Sequence, residues 1–221
     1  MISSGVIFDM DGLLLDTEKV CLDCFVETRR AYDLSASPEV FLRTVGLRGK
    51  ESDQIIIESL NGEVGFKDFS REWDRRIAAS LKHDIPVKAG ALKLLKKLKQ
   101  KGHPMAVATS TRTDTARKHL EKADLLGFFD IVVGGDQVKK GKPDPEVYLK
   151  AASRIGYPAT SCYAFEDSET GVKAAHASGA KTIQIPDLIE PSSNLKSLGH
   201  LIAPSLLKGA IMAGMICEAD A

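Results

Sequence analysis

The chain has 221 residues, 43% of them hydrophobic, enough for one substantial core and a smaller second body. Thirty Lys and Arg balance 30 Asp and Glu, whereas a nucleic-acid binder carries a basic excess or a basic run. The densest basic stretch (Lys93, Lys96, Lys97, Lys99, Lys101) alternates with leucines at helical spacing and reads as a solvated helix face. Two aspartates by position 11 argue against a secretory or mitochondrial leader. The apolar stretch Leu206–Cys217 contains Lys208 and is too short to span a bilayer. Four scattered cysteines make no disulfide framework, and the C-x-x-C of Cys21 and Cys24 lacks a second pair, so helix packing is its expected role. These features predict a reduced, cytoplasmic protein with no nucleic-acid or membrane partner. Without a heptad seam, a monomer is expected.

In chain order, short Val- and Ile-rich runs end abruptly in polar or small residues: Gly5–Phe8, Pro104–Ala108, Asp130–Val133, Cys162–Phe165 and Lys181–Ile185. Such runs, without alternation, predict buried parallel strands. Helical patterns separate them over Ala91–Lys101, Thr113–Leu126, Pro145–Ile155 and Ser168–Ser178, each followed by a glycine. The predicted fold is therefore α/β, a doubly wound, Rossmann-like parallel sheet. Residues 17–87 break the rhythm with three helical patterns and no strand; Phe69, Trp73, Ile77 and Leu81 mark the clearest. The expected organisation is an α/β core over 1–16 and 88–221 with an inserted helical domain over 17–87.

Ligands of open parallel sheets bind beyond the carboxyl ends of the strands. The first strand delivers Asp9-Met10-Asp11-Gly12 there. Two carboxylates so placed repel each other and lose solvation unless a cation compensates, although Asp and Gly are also ordinary loop formers. The fourth strand adds Glu166-Asp167-Ser168; capping accounts for Asp167 or Ser168 but not for Glu166. Together these carboxylates supply the oxygen ligands Mg²⁺ needs. The second strand delivers Thr109-Ser110-Thr111 at a helix start, where caps and phosphate sites coincide. Lys142-Pro143 follows the third strand and brings a cation able to neutralise phosphate and aspartate. A nucleotide P-loop is excluded, because five residues separate Gly135 from Gly141 and Pro143 stands where Ser or Thr is required. There is no G-x-S-x-G and no H-E-x-x-H, and none of the five histidines falls at a predicted strand end.

These elements, in this order, resemble the haloacid-dehalogenase-like phosphotransferases. FDMDGLLLDTE (Phe8–Glu18), GKPDP (Gly141–Pro145) and FEDSETG (Phe165–Gly171) resemble the β-phosphoglucomutase-like branch. The resemblance covers nearly the whole chain and makes residues 17–87 a mobile cap. It implies an aspartyl-phosphate on Asp9 and general acid/base catalysis by Asp11. It also implies that Thr109 and Lys142 hold the phosphoryl group. Mg²⁺ would be bound by Asp9, the Asp11 carbonyl and Asp167, with Glu166 acting mainly through water. Asp11 argues against carbon–halogen chemistry. Candidate substrate contacts are Gly12, Glu18, Arg48, Lys50, Ser110 and Arg112. Cys21 stands where mutases of the branch carry a histidine, and Gly49 where they carry an arginine. The expected activity is thus hydrolysis of a small phosphate monoester such as a sugar phosphate, with a phosphosugar mutase as the alternative.

Overall fold

The structure, a computed structural model, describes residues 4–45, 47 and 49–218. Strand β1 (Gly5–Phe8) is followed by four helices, α1 (Thr17–Ala31), α2 (Pro38–Leu42), α3 (Lys50–Ser59) and α4 (Phe66–Ser80). Alternation then sets in: α5 (Ala91–Gln100), β2 (Met105–Ala108), α6 (Thr113–Lys122), β3 (Ile131–Val133), α7 (Glu146–Arg154), β4 (Cys162–Glu166), α8 (Glu169–Ala177) and β5 (Lys181–Gln184). The chain closes with α9 (Ser193–Lys196), β6 (Leu201–Ile202) and α10 (Leu206–Met212). All strand pairs are parallel, in the order β3-β2-β1-β4-β5-β6. The connections run to one side of β1 through β2 and β3, then return to the other side through β4. The switch point of this doubly wound sheet therefore lies at β1 and its neighbours. Ile7 sits between Ala106 and Ala164, and Val6, Ile7 and Phe8 are fully buried. Parallel strands covered by helices on both faces have no need of alternation.

By contact the chain forms two compact units, Met1–Asp16 with Pro86–Ala221 and Thr17–Ile85. In the first, an antiparallel bridge from Leu15 to Val87 ties together the two crossing segments, with Asp16 N–H donating to Pro86 O (2.7 Å) and Lys88 N–H to Leu14 O (2.9 Å). The second unit is helical and has its own aromatic core. Phe25 lies edge-on to Phe69 and Trp73 at centroid distances of 5.5 and 5.4 Å, with Phe41 at 5.9 Å. Trp73 Nε1 donates to the Cys21 carbonyl at 3.0 Å, which satisfies the indole N–H. Arg29 is buried and joins α1 to the end of α3, donating to Ser35 O and Ser59 Oγ. None of the four cysteines is in a disulfide, and Cys24 packs in this core against the Ser80 hydroxyl.

The sequence pattern and the structure differ at three places. The helix expected to reach Leu126 stops at Lys122, because Asp124 takes a φ of 55° and the apolar Leu126 belongs to a separate 3₁₀ turn. Four helices, not three, fill the insert, since α2 is only five residues long. β6, of two residues, and the short α9 carry too little periodicity to be seen. No helix among the described residues is long and apolar enough to cross a membrane.

Because Trp73 is the only tryptophan and sits in the helical unit, its emission reports on that unit alone. Phe69→Ala removes a fully buried ring and should cost about 3–5 kcal/mol. The Trp73 denaturation midpoint should fall well below that of wild type; an unchanged midpoint would show that the ring contributes little.

Candidate active site

The cluster forms where β1 and β4 end. Asp9 leaves β1 with its N–H still on the Phe165 carbonyl (3.0 Å), which holds it to the sheet. The chain then turns sharply: Leu14 and Leu15 N–H both donate to Met10 O, and Gly12, at φ 82°, donates to Leu15 O. That φ suits glycine. Gly12 is thus a turn residue, whatever else it touches.

Lys142 reaches the cluster from the loop after β3. Its Nζ donates to Asp9 Oδ1 and Glu166 Oε1, both at 2.5 Å, and its side chain is 3% exposed. The loop is fixed from behind: the Glu146 carboxylate, in the first turn of α7, accepts from the N–H groups of Lys139 and Lys140, and Lys150 Nζ donates to Gln137 O. The Lys142–Pro143 peptide bond is cis.

Glu166, fully buried, is held on both oxygens. Oε1 accepts from Lys142 and from the Tyr148 hydroxyl (2.6 Å); Oε2 accepts from the N–H groups of Asp167 and Ser168 and from Ser168 Oγ. Ser168 in turn caps α8 by accepting from Gly171 N–H. A Cβ on Gly171 would overlap the Glu166 carboxylate, so glycine is required there by space. Asp167 stands beside them, its carbonyl accepting from Gln184 Nε2 (3.3 Å).

One oxygen each from Asp9, Glu166 and Asp167 lies within 4.8 Å of the others. Asp9 and Glu166 thus share one ammonium with almost no solvent, and Asp167 stands beside them. Burial is the main influence on Asp9 and pushes its carboxyl up; Lys142 draws it down, Glu166 and Asp11 raise it again, and the net is about 8. Burial likewise pulls the Lys142 ammonium down, but Asp9 and Glu166 outweigh this and hold it above its ordinary value. Another positive charge would relieve this upward push on Asp9. A hard divalent cation fits on charge and on donor type, since the ligands are all oxygen.

Asp11 is turned another way. Its Oδ2 accepts from Thr111 Oγ1 at 2.7 Å and, at 3.5 Å, from Thr109 Oγ1. Thr109 is buried at the end of β2 and also accepts from Thr111 N–H (3.1 Å). These hydroxyls do not cap α6. Asp136, after β3, supplies that cap by accepting from Thr113 N–H and Oγ1 at 2.7 and 2.8 Å. Backbone donation from Thr113 is the main reason the Asp136 carboxyl lies low. The two loops pack backbone to backbone, since a Cβ on Gly134 or Gly135 would strike the main chain of Thr111, Thr113 or Ser110.

The structure thus brings Asp9, Lys142, Glu166 and Asp167 together, with Asp11 and Thr109 joined through Thr111. Ser110 is half-buried beside Gly135, and Arg112 is exposed at the start of α6. Glu18, near the start of α1, and Lys50, the exposed first residue of α3, belong to the helical unit. Arg48 lies outside the described residues. Tyr148 and Gly171 are contacts that sequence reasoning does not single out as site residues, and Thr111, one of the hydroxyls expected at the helix start, bonds to Asp11 instead of capping α6. For Tyr148 a signal existed: a tyrosine at a buried helical position implies a partner for its hydroxyl.

A doubly wound sheet with a helical insert after the first strand and a carboxylate–lysine cluster at the switch point is the arrangement that the sequence resemblance implies. Residues 6–185 match the family model described as haloacid dehalogenase-like hydrolase. The chain belongs to that family. A phosphorylated carbohydrates phosphatase of Thermotoga maritima is 35% identical over 182 residues, 81% of this chain and 83% of that one. A fructose-1-phosphate phosphatase of Escherichia coli is 31% identical, with 82% of this chain and 96% of that one covered. In three dimensions a HAD family hydrolase of Deinococcus radiodurans, solved with bound phosphate and sodium, superposes with a TM-score of 0.82 at 24% identity over 97% of both chains.

Gly171→Ala should force the Glu166 carboxylate out of its place, at a cost of roughly 1–3 kcal/mol and a melting temperature several degrees lower. A crystal structure of the variant with Glu166 unmoved, at wild-type Tm, would contradict the steric argument.

Proposed function

We propose that the chain is a Mg²⁺-dependent phosphatase that hydrolyses a small phosphate monoester, a phosphorylated sugar or similar metabolite, through a phosphorylated Asp9. It would work in the cytoplasm as a monomer. The observation that carries the reading is the meeting of Asp9, Lys142, Glu166 and Asp167 in one buried cluster, two residues from Asp11. The names of the Thermotoga maritima and Escherichia coli relatives support phosphorylated sugars as the substrate class.

In this reading an Asp9 carboxylate oxygen attacks phosphorus while the ester P–O bond breaks, and Asp11 gives its proton to the leaving oxygen. Water then attacks the aspartyl-phosphate and passes a proton to Asp11. Inorganic phosphate departs and the Asp9 carboxylate is restored. Thr111 donates to Asp11 and so restricts the rotamers of the acid–base group, which lowers the entropic cost of presenting it to substrate. Lys142 and Thr109 face the phosphoryl oxygens, and Lys142 offsets the charge that gathers on them in the transition state. Asp9, the Asp11 carbonyl and Asp167 would hold Mg²⁺, with Glu166 acting through water; once bound it neutralises the carboxylates and polarises the phosphoryl group.

Cys21, on α1 at the place of the mutases' histidine, supports hydrolysis over phosphate transfer between sugar positions. Substrate selection is assigned to Glu18, Arg48 and Lys50 of the insert, as a cap, and to Gly12, Ser110 and Arg112 of the sheet unit.

With an aryl phosphate or a panel of sugar phosphates, phosphate release should require Mg²⁺ and stop on chelation. Asp9→Asn should abolish turnover, and Asp11→Asn should lower it by about 10²–10⁴-fold, both with the fold intact by circular dichroism. Near-normal release from either variant would remove that residue from its role.

A further inference from the structure

Tyr148 is fully buried in the first turn of α7, yet neither composition nor packing requires a phenol there. It belongs to a buried core cluster that also holds Ile7, Val133 and a series of alanines, among them Ala106, Ala108, Ala164 and Ala174. Those small side chains leave room for a large ring, and a leucine or phenylalanine would also meet the demand for apolar volume. The hydroxyl is the part that packing leaves unexplained. A buried phenol without a partner is costly, and this one donates to Glu166 Oε1 at 2.6 Å. The same oxygen accepts from Lys142 Nζ at 2.5 Å, and that ammonium stands 5.1 Å from the centre of the Tyr148 ring. Tyr148 thus touches both halves of the Lys142–Glu166 pair, one through its hydroxyl and the other through its ring face.

We propose that Tyr148 is a positioning residue of the phosphoryl-transfer site: it shares Glu166 Oε1 with Lys142 and so fixes how strongly Lys142 is drawn toward Glu166 rather than Asp9. The inference rests on the phosphatase reading above. Without the phenol donor, Lys142 becomes the only hydrogen-bond donor that Oε1 retains of the two, and its Nζ shifts from the nucleophile side toward Glu166. The Glu166 carboxylate also loses one of the bonds that orient it beside Asp9 and Asp167. Outer-shell bonds of this kind typically carry 10–100-fold in metal affinity or activity.

The test is Tyr148→Phe, which keeps the ring and its packing, measured on the folded fraction after gel filtration so that loss of yield does not enter the constants. Expected are a fall in kcat of about tenfold with KM within about threefold, and a Mg²⁺ Kd about tenfold weaker by calorimetry without substrate. A double-mutant cycle separates positioning from packing: in a Glu166→Gln background, Tyr148→Phe should change the Mg²⁺ Kd by less than about twofold, because the anion it serves is gone. Val147→Ala, a buried neighbour on the same helix, is the packing control; it should lower stability and leave the Mg²⁺ Kd unchanged. Tyr148→Phe with kcat and Kd both within twofold of wild type overturns the proposal, as does an equal loss in both backgrounds. A wild-type chain that neither binds Mg²⁺ nor releases phosphate removes the phosphatase reading and this inference with it. Wild-type activity beside an unaffected Tyr148→Phe removes the inference alone.

Discussion

Burial of several carboxylates around a single ammonium is the constraint from which the rest of the core follows. Moving an ionised carboxylate out of water costs several kcal/mol even after the protein relaxes, and one nearby cation recovers only part of this. The sheet unit meets the cost group by group. Glu166 is surrounded by donors from Lys142, Tyr148, Ser168 and the backbone N–H groups that open α8, where the helix dipole also favours an anion. Asp9 shares Lys142, yet its carboxyl is still pushed up, because burial dominates its surroundings. The three carboxylates together could hold a metal ion, whose charge would offset what Lys142 leaves uncompensated.

Such a cluster demands fixed geometry, and the fold supplies it by drawing each group from a different strand end of one parallel sheet. Asp9 extends β1, Thr109 extends β2, and Glu166 closes β4, each still paired to a neighbouring strand through its backbone. Lys142 sits in a loop, the least rigid setting, and there the supporting bonds are most numerous: Glu146 and Lys150 of α7 hold the loop's backbone. The close approach of the loops after β2 and β3 follows the same logic. Gly134 and Gly135 have no Cβ because the backbone of Ser110 and Thr111 occupies that space, and the hydroxyls of Thr109 and Thr111 are thereby kept on Asp11.

How much of this is legible in the sequence depends on whether the signal is local. Asp9, Asp11 and Gly12 lie within four residues at the end of an apolar run, and their conflict of charge and burial is visible without coordinates. Glu166 is visible for the same reason, since a helix cap has no use for it. Tyr148 was read only as part of the Pro145–Ile155 helical pattern; its hydroxyl matters because Glu166 lies 18 positions further on, which periodicity does not encode. The contacts of Thr111 and Gly171 are hidden likewise. A threonine near a helix start reads as a cap until Asp136 is found supplying the cap instead. A glycine in a first helical turn reads as neutral until the carboxylate that fills its Cβ position is seen. The helix end at Lys122 escaped because it is set by the φ of Asp124 and not by the apolar pattern, which continues to Leu126.

The helical unit answers to a different constraint. Phe25, Phe41, Phe69 and Trp73 give it a core of its own, and the buried Arg29 joins two of its helices through hydrogen bonds internal to the unit. None of those side chains is part of the carboxylate cluster. Substitutions on the exposed faces of α1 and α3 therefore leave both cores with their packing intact. Groups that must hold charge in a dry site are confined to the sheet, where backbone pairing fixes them. Lys50, at the exposed start of α3, lies outside the aromatic core of its unit. The two requirements are thus separate in the chain: the charged cluster depends on the pairing of the sheet, and the packing of the helical unit depends on its own aromatic side chains.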